Sequence, residues 1–427
     1  KAHQLKPHLK QIWQIVLNLK MEARQFKDVI SFSEKMLELD PNDEKILTVC
    51  ALCYYKLRNF DQAILTLKKV ININPDNFEA YNNIGAALKD QGKLEEATSA
   101  FKNVLKIKPD LVEGYNNLAI TLKDQGKVEE AVATYEKAIS LNPNDVQTST
   151  NLAILFFESK KFEKAEKLFS LDKKAVSQSF LLKCFYELDK EAKFYEQLDY
   201  MVKQGLNNCV IGSYIFRAER RYGRKIENPF CNEPYKYVQE IDLKEKCDFK
   251  NIFIKTANDI LVDQTVKHKS QGHLKNGIQT AGNIFNQVGS VTDQMQNIIR
   301  SELENYRRSF GNSKEGFIKK WPKSYSISGW LVSMKSGGEL AAHIHDTGWV
   351  TGSVYINVPP KSKTESGNLV VTTDDQKNSI DGFENRRSLN VVTGSMCLFP
   401  SSLLHYTVPF ESDEDRIVLA FDIIPEP

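Results

Sequence analysis

The chain reads as a multidomain α + β protein. An N-terminal all-α solenoid of stacked helical hairpins precedes a C-terminal double-stranded β-helix (jelly roll) with flanking helices. Three observations predict this. Prolines at 41, 75, 109 and 143 recur at an interval of 34 residues. From about residue 320 the apolar pattern changes from helical spacing to short β-branched and aromatic runs. Three of the seven histidines, His343, His345 and His405, gather in that second part, with Arg416 close behind.

A chain of 427 residues has room for two or three separate cores. Its 41% apolar and 26% charged residues are ordinary for a globular protein. A formal charge of +2 argues against a dedicated nucleic-acid surface. No apolar stretch is long enough to span a bilayer, and the chain opens at Lys1 without a leader-like run. The seven cysteines are scattered. Only Cys50 and Cys53 form a C-x-x-C, inside the helical run V-C-A-L-C-Y-Y, and no second pair completes a zinc site. Core packing is the expected role of that pair, and reduced thiols point to a cytoplasmic protein.

In the first half, each proline opens a turn of the form P-N-D or P-D after an amphipathic helix. Ala63, Ala97, Ala131 and Ala165 share one register, and Phe101, Tyr135 and Phe169 another. D-Q-G-K turns at 90–93 and 124–127 join the two helices of their units. A 34-residue period with small residues at helix crossings and a terminal proline resembles the tetratricopeptide repeat. The resemblance runs from about residue 10 to 175, and implies hairpins stacked into a right-handed solenoid with a concave face. The expected domains are the solenoid at 1–175, a helical cap and linker at 176–245, and the sheet domain at 246–427. Asn83, Asn117 and Asn151 occupy one repeat position, with Asn82 and Asn116 beside the first two. Asparagine is a mediocre helix former, so its recurrence on the first helices asks for a reason. The row resembles the asparagine ladder of O-GlcNAc transferase, which implies a grip on the main chain of an extended peptide. An amide offers both donor and acceptor for that task. The plainer reading is a set of copied residues that merely solvate the groove.

The second half begins its strand pattern with S-Y-S-I-S-G-W-L-V-S-M, W-V-T-G-S-V-Y-I-N-V, G-N-L-V-V-T-T, M-C-L-F-P and R-I-V-L-A-F-D-I-I. G-G, P-P, S-G and acidic turns separate these runs, as in an antiparallel sheet assembly. The segment at 290–307 has helical spacing and is expected to pack on the outside of the barrel. On a strand, residues i and i+2 face the same side, so His343 and His345 point into the barrel together or out of it together. His405 follows a proline-led turn, F-P-S-S-L-L, that would aim it back across. Imidazole suits iron and other borderline divalent metals, and three protein ligands leave positions open.

Two blocks carry a closer resemblance: G-G-E-L-A-A-H-I-H-D-T-G-W-V-T-G-S-V-Y-I-N-V-P at 337–359, and G-S-M-C-L-F-P-S-S-L-L-H-Y-T-V-P-F-E-S-D-E-D-R-I-V-L-A-F-D-I-I-P at 394–425. They resemble the 2-oxoglutarate/Fe(II)-dependent oxygenases, most closely the bacterial branch often fused to tetratricopeptide repeats. That resemblance implies Fe(II) and 2-oxoglutarate as cofactors. It also implies His343 and His405 as iron ligands, and Arg416 as the cation for the distal carboxylate of 2-oxoglutarate. Tyr355 resembles the tyrosine that hydrogen-bonds the same carboxylate in prolyl hydroxylases; an inward tyrosine also simply fills a core. The common pattern is His-X-Asp/Glu, whereas residue 345 is histidine and Asp346 comes one position late. His345 is the favoured third ligand, a bulge bringing Asp346 inward is the other solution, and two histidines alone hold iron in some oxygenases. Trp330 and Trp349 are expected in the core, with substrate lining as the alternative.

The expected function is therefore a 2-oxoglutarate-dependent hydroxylase acting on a protein or peptide recruited by the repeat groove, with dioxygen as co-substrate. Two alternatives stay open: a repeat scaffold with an inert barrel, and an oxygenase of small molecules.

Overall fold

The 34-residue period folds as consecutive antiparallel helices. The computed structural model describes residues 7–263, 266, 268–269, 272–287, 289–374 and 385–426. The chain divides into two units, Lys1–Lys173 and Lys174–Pro427. In the first, helices α1 (Pro7–Glu22), α2 (Phe26–Leu39), α3 (Glu44–Lys56), α4 (Phe60–Ile73), α5 (Phe78–Asp90), α6 (Leu94–Ile107), α7 (Val112–Asp124), α8 (Val128–Leu141), α9 (Val146–Glu158) and α10 (Phe162–Phe169) follow one another. The turns after Pro41, Pro75 and Pro143 supply the next cap, whereas α7 starts after Leu111 without a side-chain cap. Asp43 accepts from the Lys45 and Ile46 amides, Asn77 from Ala80 and Asp145 from Thr148. Each such cap is worth about 1 kcal/mol. Within the hairpins Gly92 and Gly126 turn the chain at φ 67° and 77°. The same repeat position holds Arg24, Arg58 and Lys160, at φ 55°, 60° and 57°. Those three therefore carry a left-handed backbone without glycine's freedom. Ala63, Ala97, Ala131 and Ala165 are fully buried at the helix crossings, and Phe101, Tyr135 and Phe169 pack beside them.

Cys50 and Cys53 lie in a core cluster with Leu17, Val29, Ile30, Met36 and Ile46. Burial pushes their thiols up to about 12 and about 11. The pair is thus protonated packing, as expected, and all seven cysteines are free.

The second unit opens with α11 (Ala175–Glu187), α12 (Glu191–Lys203) and α13 (Cys209–Tyr222). Its strands are β1 (Gln239–Asp242), β2 (His268–Lys269), β3 (Leu274–Thr280), β4 (Tyr325–His343), β5 (Val350–Asn357), β6 (Leu369–Thr372), β7 (Arg386–Leu389), β8 (Ser395–Pro400), β9 (Leu404–Thr407) and β10 (Arg416–Pro425). The order is β1-β8-β5-β10-β4-β9-β6-β7, with β3 also on β4, and every pairing is antiparallel. Strand β4 makes the closure. Its first part, Tyr325–Met334, pairs with β10, and its last part pairs with β9 through Leu340↔Thr407 and His343↔His405. Between these lies S-G-G, where Gly337 takes φ 72° and the register against β3 shifts. One strand thus serves both faces of a nearly closed, jelly-roll-like barrel. Tyr355, Leu369, Val371, Cys397, Phe399 and Val418 belong to its core. The expected helix forms over Asp293–Ser309 and buries Met295, Ile299, Leu303 and Tyr306.

Candidate metal centre and anion pocket

Three imidazoles converge inside this barrel. His343 ends β4 and His405 sits directly across from it on β9. His345 lies beyond the strand end, in a turn closed by a hydrogen bond from the Gly348 amide to the His345 carbonyl at 3.0 Å. Strand alternation is therefore not what aligns His343 and His345; the turn does it. The ring centroids stand 4.4 Å (343–405), 5.0 Å (343–345) and 4.8 Å (345–405) apart. One nitrogen from each ring lies within 4.8 Å of the others.

The hydrogen bonds fix the tautomers of two rings. His343 Nδ1 is 2.8 Å from the Ala341 carbonyl, which can only accept, so Nδ1 carries the proton. His345 Nδ1 is 2.8 Å from the Asp422 carboxylate, and the same logic applies. Both Nε2 atoms are then left to face each other, at 3.1 Å. Two lone pairs at that distance repel unless a proton or a cation lies between them. A metal about 2.1 Å from each nitrogen, at a right angle, would set them about 3.0 Å apart. His405 Nδ1 is buried without a hydrogen-bond partner among the described residues. Burial, and next the charge His345 would carry, pushes His343 down to about 3. Burial and the other two rings hold His405 well below the usual histidine range. His345 goes the other way: burial opposes its charged form, but Asp422 outweighs burial and raises it. The donor set fits a borderline divalent metal.

The same cavity holds a buried cation. The space is small and lined by, among others, Trp330, Tyr355, Val418 and Arg416 together with the three histidines. Arg416 is 1% exposed. Its Nε donates to the Gly367 carbonyl at 3.2 Å and its guanidinium lies 5.1 Å from the Tyr355 ring centroid. No carboxylate pairs with it among the described residues, and burial lowers its pKa. Burying an unpaired guanidinium is expensive. Burial also raises the Tyr355 hydroxyl, which stays a neutral donor.

Asp346 turns elsewhere. Its carboxylate pairs with Lys183 of α11, and the Cys209 thiol of α13 lies 3.2 Å from the carbonyls of both His345 and Asp346. These contacts hold the back of the histidine turn. Trp349 fills the core, its indole N–H donating to the Phe317 carbonyl at 2.8 Å, while Trp330 stands edge-on 5.1 Å from His345. In the repeat unit, Asn83, Asn117 and Asn151 are half-buried on α5, α7 and α9. Asn117 Nδ2 donates to Asn82 Oδ1 at 3.0 Å, and Asn151 Nδ2 to Asn116 Oδ1 at 2.9 Å. The amides are stitched from repeat to repeat, and each donor keeps a second N–H.

Two neighbours of the site escape the sequence reading. His273 stacks parallel to His343 at 5.5 Å; nothing in its polar surroundings in the sequence signals this. Asp422 had a signal. It stands in phase with Arg416, Val418 and Ala420 on one face of β10, the lone carboxylate of an apolar strand.

Residues 328–422, which include the three clustered histidines, Tyr355, Arg416 and Asp422, match the family described as "Putative 2OG-Fe(II) oxygenase". Tetratricopeptide repeat families match at 51–92, 78–111, 112–145 and 134–167. No curated protein matches the chain. Among solved structures, the pilus biogenesis factor PilW is 20% identical over 46% of this chain and 93% of its own, with a TM-score of 0.40. PilF of Pseudomonas aeruginosa is 16% identical over 45% and 90%, TM-score 0.39. MamA of Desulfovibrio magneticus RS-1 is 16% identical over 38% and 90%, TM-score 0.35. The chain thus combines tetratricopeptide repeats at 51–167 with a domain of that oxygenase family at 328–422.

Proposed function

We propose that the chain is an Fe(II)- and 2-oxoglutarate-dependent oxygenase that hydroxylates a protein or peptide recruited by the repeat groove. One observation carries the reading: three converging imidazoles, two of them with Nε2 atoms 3.1 Å apart, share their cavity with a buried guanidinium that has no carboxylate partner among the described residues. His343, His345 and His405 would hold the metal, and Arg416 with Tyr355 the distal carboxylate of the cosubstrate. Bound there, Fe(II) and 2-oxoglutarate supply the oxidising chemistry, the oxo acid being decarboxylated to succinate. The chain's own contribution is placement. Arg416 offers a planar fork that fixes both position and rotation of a carboxylate, in a pocket dry enough to strengthen the contact. Val332, Met334, Leu369 and Val418 line the space with apolar surface. Asn83 would meet the substrate's main chain, as would Asn117 and Asn151 through the amide hydrogen that each one's inter-repeat bond leaves over.

A second reading keeps the chemistry but gives it a small-molecule substrate, the repeats serving assembly. The amide hydrogens that Asn117 and Asn151 spend on neighbouring repeats favour it. Succinate formation from 2-oxoglutarate under air with added Fe(II) tests the chemistry common to both. Wild type should turn over without added substrate, and Arg416→Ala should lose nearly all of it. Equal rates, or none in either protein, refute the proposal. An inert barrel that only scaffolds predicts none in either.

A further inference from the structure

We propose that Asp422 is the positioning residue of the metal centre: it holds His345 in the tautomer and rotation that present Nε2. Its charge thereby serves, at one remove from the ion, in place of the carboxylate that His-X-Asp sites put directly on the metal. The inference rests on the metal reading above and adds a residue to it. Asp422 is 4% exposed on β10, 77 residues from His345 in sequence, yet its Oδ1 lies 2.8 Å from His345 Nδ1. The same oxygen accepts from Thr351 Oγ1 at 2.8 Å, and that hydroxyl is itself 2.8 Å from Ser401 Oγ. No lysine or arginine pairs with Asp422 among the described residues; His345 is its one charged-capable partner. A buried carboxylate kept for strength alone is better matched by a permanent cation, so its pairing with an imidazole asks for a use.

The backbone also makes room for it. A Cβ on Gly348 would stand 2.7 Å from Ser401 Oγ and 3.1 Å from Asp422 Oδ1, so this glycine keeps clear the space the network occupies. Gly348 is also the residue whose amide closes the His345 turn. Turn, hydroxyls and carboxylate thus converge on one ring nitrogen.

The test is anaerobic titration of the full chain with Co(II), read by its ligand-field spectrum, and with Fe(II) by equilibrium binding. Asp422→Asn preserves size but offers an N–H to Nδ1, which favours the tautomer with Nε2 blocked. Metal affinity should fall about 10- to 100-fold, the usual scale for such outer partners. Thr351→Val, a milder change that keeps the carboxylate, should weaken binding severalfold and shift the Co(II) bands. The decisive arm uses a His345→Asp background. There Asp422→Asn should raise affinity rather than lower it, because an aspartate ligand needs no partner for Nδ1 and two facing carboxylates are relieved of repulsion. An unchanged affinity and spectrum in Asp422→Asn overturns the inference. So does an equal loss in both backgrounds, which marks a merely structural role. Wild-type chain that binds neither metal overturns the metal reading itself, and this inference with it.

Discussion

Replacing Arg416 with methionine separates a residue that binds an anion from one that holds the barrel together. In the folded chain the guanidinium donates to the Gly367 carbonyl and meets Tyr355, both at its ring and through a side-chain hydrogen bond. Those are worth about 2 to 4 kcal/mol together. Against this stands the desolvation of a cation that is 1% exposed with no carboxylate beside it among the described residues, also several kcal/mol. The two nearly cancel, and methionine fills much of the volume. Stability should therefore change by no more than about 1–2 kcal/mol in either direction, or about 2–8 °C in midpoint for a unit of this size. Binding is not balanced in this way. Without the guanidinium, a carboxylate held in this buried site has its charge unpaired, at about 3–5 kcal/mol, or roughly 100- to 5,000-fold in Kd. Calorimetric titration of the metal-loaded protein with 2-oxoglutarate, beside a thermal melt, reads both quantities. The reasoning fails if Arg416→Met melts far below wild type while binding 2-oxoglutarate within a few-fold of it.

Asp346→Asn should leave metal uptake at one ion per chain, since its carboxylate is engaged by Lys183. It should cost about 1–2 kcal/mol of stability, discounted because Asp346 is 37% exposed; loss of metal would return Asp346 to the ligand set. Lys160→Gly should stabilise the repeat unit by about 0.5–1 kcal/mol in urea denaturation, because glycine relieves a left-handed backbone at φ 57° and loses only part of the gain to chain entropy. No gain would mean the strain at that repeat position is absent. A polypeptide retained by the His405→Ala chain should be released when Asn83, Asn117 and Asn151 are all changed to alanine, and should gain one oxygen atom by mass spectrometry after incubation with wild type. Retention without the asparagines, or no oxygen gained, favours the small-molecule reading.

The repeats were legible because a 34-residue period constrains residue type directly: only small side chains fit where Ala63 and Ala97 cross, and a capping asparagine or aspartate follows three of the four prolines. The strands were legible from their β-branched runs, and the histidine trio from its clustering. The mechanism of convergence was not. His345 reaches the cluster through a turn past the end of β4, not by alternation, and no local pattern encodes that turn's closure. Asp346 and Lys183 are 163 residues apart, a pairing that exists only once α11 has packed on the histidine turn. The stack of His273 on His343 likewise depends on β3 lying beside β4. Asp422 alone among these was within reach of period-two counting from Arg416.

Equilibrium uptake of Fe(II) by the full chain under anaerobic conditions bears most directly on the whole account. Wild type should take up one ion per chain, while His343→Ala and His405→Ala, checked for intact folding by their melting transitions, should take up none. A wild-type chain that stays empty, or a His405→Ala chain that fills as readily as wild type, would contradict it.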